Sequence, residues 1–234
     1  MNLKNSHIIV TGGNSGIGKE IAKDLVNLGA KVLITGRNKS KIEAVAKEIN
    51  AIPYVFDISD LESIKQHAKA CSDLLGNKID ALINNAGIGE FPSLGEITIN
   101  HLESVYKTNV FGLALFTQEL LPIFKSQKSG NIINLGSTAS LKGFARGSVY
   151  AASKFAVRGM TQSWQAELRP FNIRVSLINP SEVTTAFANP ERIERDDESN
   201  KLSAKEVSDS ILSVLQIKDR GFIPEITLWA TNPF

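Results

Sequence analysis

Short runs rich in β-branched residues alternate along the chain with longer stretches in which apolar positions return every three or four residues. The first pattern marks buried strands and the second amphipathic helices. Seven strands are predicted, over residues 7–12, 31–36, 52–56, 81–83, 131–136, 174–179 and 225–229. Ile17, Ile21, Leu25 and Leu28 share one helical face after the first strand, and Ile42, Val45 and Ile49 share one after the second. A long helical pattern covers 96–125, with Pro122 predicting a bend or a stop near its end. Another covers 149–168, with Pro170 just beyond. Ser203 and Glu206 have capping-box spacing ahead of Val207, Ile211 and Leu215, so a last helix begins there. Regular alternation of strand and helix predicts an α/β fold, a parallel sheet covered by helices.

A length of 234 residues suits one core, and no repeat or linker interrupts it, so residues 1–234 are expected to form a single domain. With 26 basic and 24 acidic residues the net charge is only +2, too little to draw the chain to nucleic acid or anionic lipid. No apolar stretch reaches membrane-spanning length and none near the N-terminus resembles a secretory core, so a cytoplasmic location is expected. The one cysteine, Cys71, has no internal partner and falls among apolar helical positions, which predicts a buried, inert thiol. His7, His67 and His101 are scattered, so no metal site is expected. The dense charges of residues 191–200 predict a mobile connection between ordered elements.

Candidate chemistry starts at Thr11-Gly12-Gly13-Asn14-Ser15-Gly16-Ile17-Gly18, between the first strand and the first helix. Glycines there permit a tight reversal, close approach of backbone to a pyrophosphate, and close packing of helix on strand. The helix start adds unpaired N–H groups and partial positive charge for an anion. Turns of this kind also occur without a ligand, and the flanking strand and helix are what favour the functional reading. An acid at the end of the second strand would hold the ribose 2′-hydroxyl of NAD, yet no carboxylate occurs from Leu25 to Ile42. Arg37 and Lys39 lie there instead, and a guanidinium can pair bidentately with a 2′-phosphate. NADP(H) is therefore favoured over NAD(H), against the plainer reading of two solvated surface charges.

Further along, Tyr150 and Lys154 are four residues apart on a predicted helix and share a face. A phenol titrates near ~10, so a neighbouring cation is needed to bring it into use at neutral pH. Ser137 follows the fifth strand, and Asn109 sits inside the long helical pattern, where an asparagine lowers helix propensity. Each of these residues alone has an ordinary structural explanation.

The glycine turn, with Asn85-Ala86-Gly87 and the ordered set Asn109, Ser137, Tyr150, Lys154, resembles the short-chain dehydrogenase/reductase family. The likeness spans nearly the whole chain and is weaker after Leu177. It implies a Rossmann-type, doubly wound sheet of seven parallel strands in order 3-2-1-4-5-6-7. It also implies a nicotinamide cofactor held by Gly12, Asn14, Ser15, Gly16, Ile17, Gly18, Arg37, Asp57, Ile58, Asn85, Ala86, Gly87, Tyr150, Lys154, Pro180, Val183 and Thr185. In the family's pattern Asp57 meets the adenine edge, Asn109 supports a helix distortion and a water relay, and Tyr150 transfers the proton. The implied substrate is a small carbonyl compound or alcohol, either a 3-oxoacyl thioester or a free ketone or aldehyde, and the implied assembly is a homodimer or homotetramer. The other reading is a nucleotide-binding sensor or scaffold of the same fold without turnover. Two departures stand out: Ser181 replaces a family glycine, at a cost of about 1–2 kcal/mol if its φ must be positive, and the C-terminal residues differ from the usual glycine-rich tail.

Overall fold

The computed structural model describes residues 1–189 and 193–233. Of the charged segment, Glu191 and Arg192 lie outside the described residues. Seven strands form one sheet: β1 His7–Thr11, β2 Lys31–Gly36, β3 Ile52–Val55, β4 Ala81–Asn84, β5 Gly130–Leu135, β6 Ile173–Pro180 and β7 Glu225–Leu228. All pair in parallel, in the order β3-β2-β1-β4-β5-β6-β7. The order reverses between β1 and β4, so a crevice opens beyond their carboxyl ends, where ligands bind in such sheets.

Both faces of the sheet are covered, which is why its central strands are apolar at successive positions rather than alternately. Ile8 and Val10 of β1 pack toward α1 (Gly16–Asn27), α2 (Lys39–Ile49) and α7 (Ala204–Gln216), together with Leu25, Ile42 and Ile211. Ile9 faces the other way, into a layer with Phe56, Phe116, Leu120 and Phe124. That second layer belongs to α3 (Ile64–Leu74), α5 (Leu113–Gln127) and α6 (Ser148–Leu168). Cys71 of α3 is fully buried there, and burial pushes its thiol up to about 12.

The long helical pattern resolves into α4 (Ile99–Tyr106), a π-helical segment Lys107–Gly112, and α5. Thr98 caps α4 in a reciprocal capping box with His101. Of the two outcomes expected at Pro122, the stop is corrected: α5 runs past it to Gln127. Leu120 and Phe124 on either side are completely buried against the sheet, and that packing outweighs the one backbone bond proline removes. The Ser203–Glu206 capping box starts α7 as the spacing predicts.

Candidate active site

At the carboxyl edge the turn after β1 is held by its neighbours. Gly12 and Gly16 have φ of 65° and 48°, in the left-handed region that favours glycine. A Cβ on Gly18 would come within 2.3 Å of the Gly12 carbonyl oxygen and 2.4 Å of Asn85 Nδ2. The Asn85 amide donates to the Thr11 and Gly12 carbonyls at 2.9 and 3.0 Å. Thr11 Oγ1 in return accepts from the backbone N–H groups of Asn85 and Ala86. The turn after β4 thus clamps the glycine turn. Asn14 lies against Gly36 at the end of β2, and half-buried Ile17 packs into the core below.

Ser15 precedes α1 in extended conformation and makes no side-chain cap, and no acidic residue stands in the helix's first turn. The anion found there comes from further along the chain. Glu194 accepts from Gly16 N with one carboxylate oxygen and from Ala186 N with the other, each at 3.2 Å. One carboxylate therefore bridges two backbone donors on separate elements, the first of them at a helix start, where anions are favoured. Thr185 closes this corner: a Cβ on Gly16 would lie 3.1 Å from its side chain.

At the far end of the crevice Arg37 is solvent-exposed, with its guanidinium 3.8 Å from Asp57 Oδ2. The other Asp57 oxygen accepts from Ser59 N and Oγ, and Ile58 is buried beside it. Lys39 turns away to Glu43 at 4.0 Å.

The remaining candidates converge where α6 crosses β5. Lys154 is buried and donates to the Leu135 carbonyl at 2.7 Å. Its ammonium lies 5.8 Å from the Tyr150 ring centroid. Burial drops Lys154 to about 8. Burial also pushes Tyr150 up to about 12, outweighing a hydrogen bond with Ser137 that lowers it. The phenol therefore keeps its proton at neutral pH, the form that can donate to a substrate oxygen. Ser137 stands in extended conformation at the start of a short 3₁₀ turn, Thr138–Ser140.

Asn109 is fully buried inside the π-helical segment. Its side chain pairs with both the N–H and the carbonyl of Ile88 at 2.9 Å, and it donates to Ser153 Oγ at 3.1 Å. A Cβ on Gly87 would sit 3.3 Å from Asn109 Oδ1 and 3.8 Å from Lys154 Nζ, so the three residues meet. The widened turn aims Asn109 out of its helix, as such bulges do.

Sequence reasoning missed the support behind Ser137. Ser137 N donates to Asn179 Oδ1 at 3.2 Å, and Asn179 Nδ2 donates to Glu225 Oε1 at 2.8 Å. Glu225 is in turn held by Arg158 Nε at 3.2 Å. Arg158 follows Tyr150 and Lys154 at a second four-residue step on α6, the one signal available beforehand. Ser181, the departure from the family glycine, has no positive φ and donates to the Leu228 carbonyl at 2.9 Å, so the feared strain does not arise. Pro180 ends β6 paired with Leu228, and Val183 bridges Leu202. Thr185 Oγ1 accepts from Phe187 N at 3.4 Å.

A family model described as short chain dehydrogenase matches residues 6–196. The chain belongs to the short-chain dehydrogenase/reductase family. It is accordingly an NAD(P)-dependent oxidoreductase. Among its relatives, an uncharacterized oxidoreductase of Staphylococcus epidermidis is 29% identical over 228 residues, which cover 97% of both chains. The NADP-dependent 3-hydroxy acid dehydrogenase of Schizosaccharomyces pombe is 33% identical over 193 residues, 77% of this chain and 73% of the relative. A metagenomic short-chain oxidoreductase solved in complex with NADP superposes with a TM-score of 0.84 at 30% identity, over 99% of each chain. The glycine cradle and the anion bridged by Gly16 and Ala186 fit the dinucleotide this family uses. No helix among the described residues is long and apolar enough to cross a membrane.

Proposed function

We propose that the protein is an NADP(H)-dependent carbonyl reductase, running also as an alcohol dehydrogenase, with Tyr150 as the residue that exchanges the proton. The observation that carries this is the cluster of buried Tyr150 and Lys154 with half-buried Ser137 at the carboxyl edge, beside a glycine turn too tight for side chains. Gly12, Asn14, Ser15, Gly16, Ile17 and Gly18 cradle the pyrophosphate, Asp57, Ile58, Asn85, Ala86 and Gly87 border the adenosine side, and Pro180, Val183 and Thr185 border the nicotinamide. Arg37 takes the 2′-phosphate, consistent with the NADP named for the relatives above.

When bound, the nicotinamide supplies hydride to the substrate carbon. Ser137 and Tyr150 hold the carbonyl oxygen, and the phenol donates its proton there as the alcohol forms. Lys154 holds the cation beside the phenol. Asn109, tied to Ile88 and Ser153, fixes the path by which the proton is replaced. A 3-oxoacyl thioester or a free ketone or aldehyde fits this chemistry. A sensor or scaffold would have no work for a buried Lys–Tyr pair, whose desolvation is costly.

General acid catalysis contributes about 10²–10⁴-fold. Tyr150→Phe is therefore expected to lose that much turnover while binding NADPH normally in a fluorescence titration. Unimpaired turnover in that variant would refute the assignment.

A further inference from the structure

The proposed catalytic phenol is flanked by rings from two separate loops, with a third ring behind one of them. Phe91, from the stretch after β4, lies 5.4 Å from the Tyr150 ring, and Phe187, just after Thr185, lies 5.6 Å from it on tilted planes. Phe144, from the loop ahead of α6, stands 6.1 Å from Phe91 and is half exposed, forming an open apolar rim. Gly89 lets the rings approach: a Cβ there would lie 2.7 Å from Phe91 Cζ and 2.9 Å from Phe187 Cε1.

Polar groups in this wall are few. Ser137 and Tyr150 are needed for the carbonyl oxygen under the proposed reading. Arg146, which the approach loop offers as a partner for an acidic substrate, spends its Nε on the Phe91 carbonyl at 3.0 Å. That bond ties the two phenylalanine-bearing loops together, with Arg146 held at a φ of 64°. The remaining neighbours on that loop, Lys142 and Arg146 itself, are solvent-exposed.

Tilted rings at these separations are the arrangement in which aromatic groups attract one another. A flat ring attached to the substrate carbonyl can pack against them face for edge, whereas a carboxylate placed among these rings would lose its water to an apolar wall. We infer that the preferred substrate is a carbonyl compound bearing an aromatic or similarly bulky apolar group, packed against Phe91 and Phe187, and not a small acidic oxo compound. This inference rests on the proposed carbonyl reductase reading.

The experiment measures kcat/KM with NADPH for a phenyl methyl diketone, diacetyl and acetoacetate, and calorimetric binding of acetophenone to the enzyme–NADPH complex. The phenyl diketone is expected to exceed diacetyl by about tenfold or more, and acetoacetate to be poorest. Phe91→Ala and Phe187→Ala are each expected to shrink the phenyl-to-diacetyl ratio by about fivefold or more while NADPH affinity holds. A ratio unchanged in both variants, or acetoacetate as the best of the three, would overturn the aromatic clamp. Should none of the carbonyls be reduced, the reductase reading fails. In that case acetophenone binding lost in Phe187→Ala still supports the clamp, and absence of binding overturns it.

Discussion

Two regions share the candidate site, and they are built by opposite means. The turn after β1 is fixed by the Asn85 side-chain amide on two backbone carbonyls and by contacts so close that only glycine fits. The stretch after β6 is held by charges at the surface: Glu182 with Arg195 and Lys201, Arg195 with Glu198, and Thr184 with Asp197. Contacts of the first kind are insensitive to salt and intolerant of added atoms. Contacts of the second kind are screened and individually weak. One wall of the crevice is therefore rigid by packing, while the other is adjustable.

The sharpest break of this comparison is Gly18→Ala. The added methyl would overlap the Gly12 carbonyl and Asn85, so a loss of about 1–3 kcal/mol of stability is expected in chemical denaturation, together with loss of NADPH binding. Next in size is Arg37→Asp. Removing a charge-assisted phosphate contact of about 1.5–3 kcal/mol should cut kcat/KM for NADPH by about 10–100-fold relative to NADH. Equal losses with both cofactors would place the 2′-phosphate elsewhere.

A pH profile probes the buried floor between the two walls. Lys154 is charged below about 8 and neutral above it, because burial lowers its affinity for a proton. Tyr150 stays protonated across the same range, being pushed up to about 12. Reductive kcat is thus expected to be level at lower pH and to fall as pH rises through about 8. A profile that stays flat well above that point would remove Lys154's charge from the reaction. The smallest expected effect belongs to the adjustable wall: Glu194→Gln should tighten NADPH binding by about two- to fivefold, since a neutral amide competes less well for the two backbone donors.

The rigid wall was also the legible one. β1 and β2 read cleanly because strands buried on both faces are continuously apolar, and the glycines announce themselves by number and spacing. Tyr150 and Lys154 read from a four-residue step on one helix. Pro122 misled because propensity says nothing of Leu120 and Phe124 packing on either side. Asn109 signalled an irregular helix, but the π-turn that aims it depends on Ile88, on another element. Asn179 and Glu225 went unread because their pairing spans 46 positions. In the charged connection, composition hid a carboxylate with a specific seat.

That seat has a thermodynamic consequence. Glu194 is tethered eight residues from Ala186, so its effective concentration at the amides is fixed by loop geometry and not by the surrounding medium. Under the proposed reading, an incoming dinucleotide is measured against this resident competitor. The affinity observed for free protein is then a difference between two anions, and changes in the length of the tether would retune it without altering a single cofactor contact.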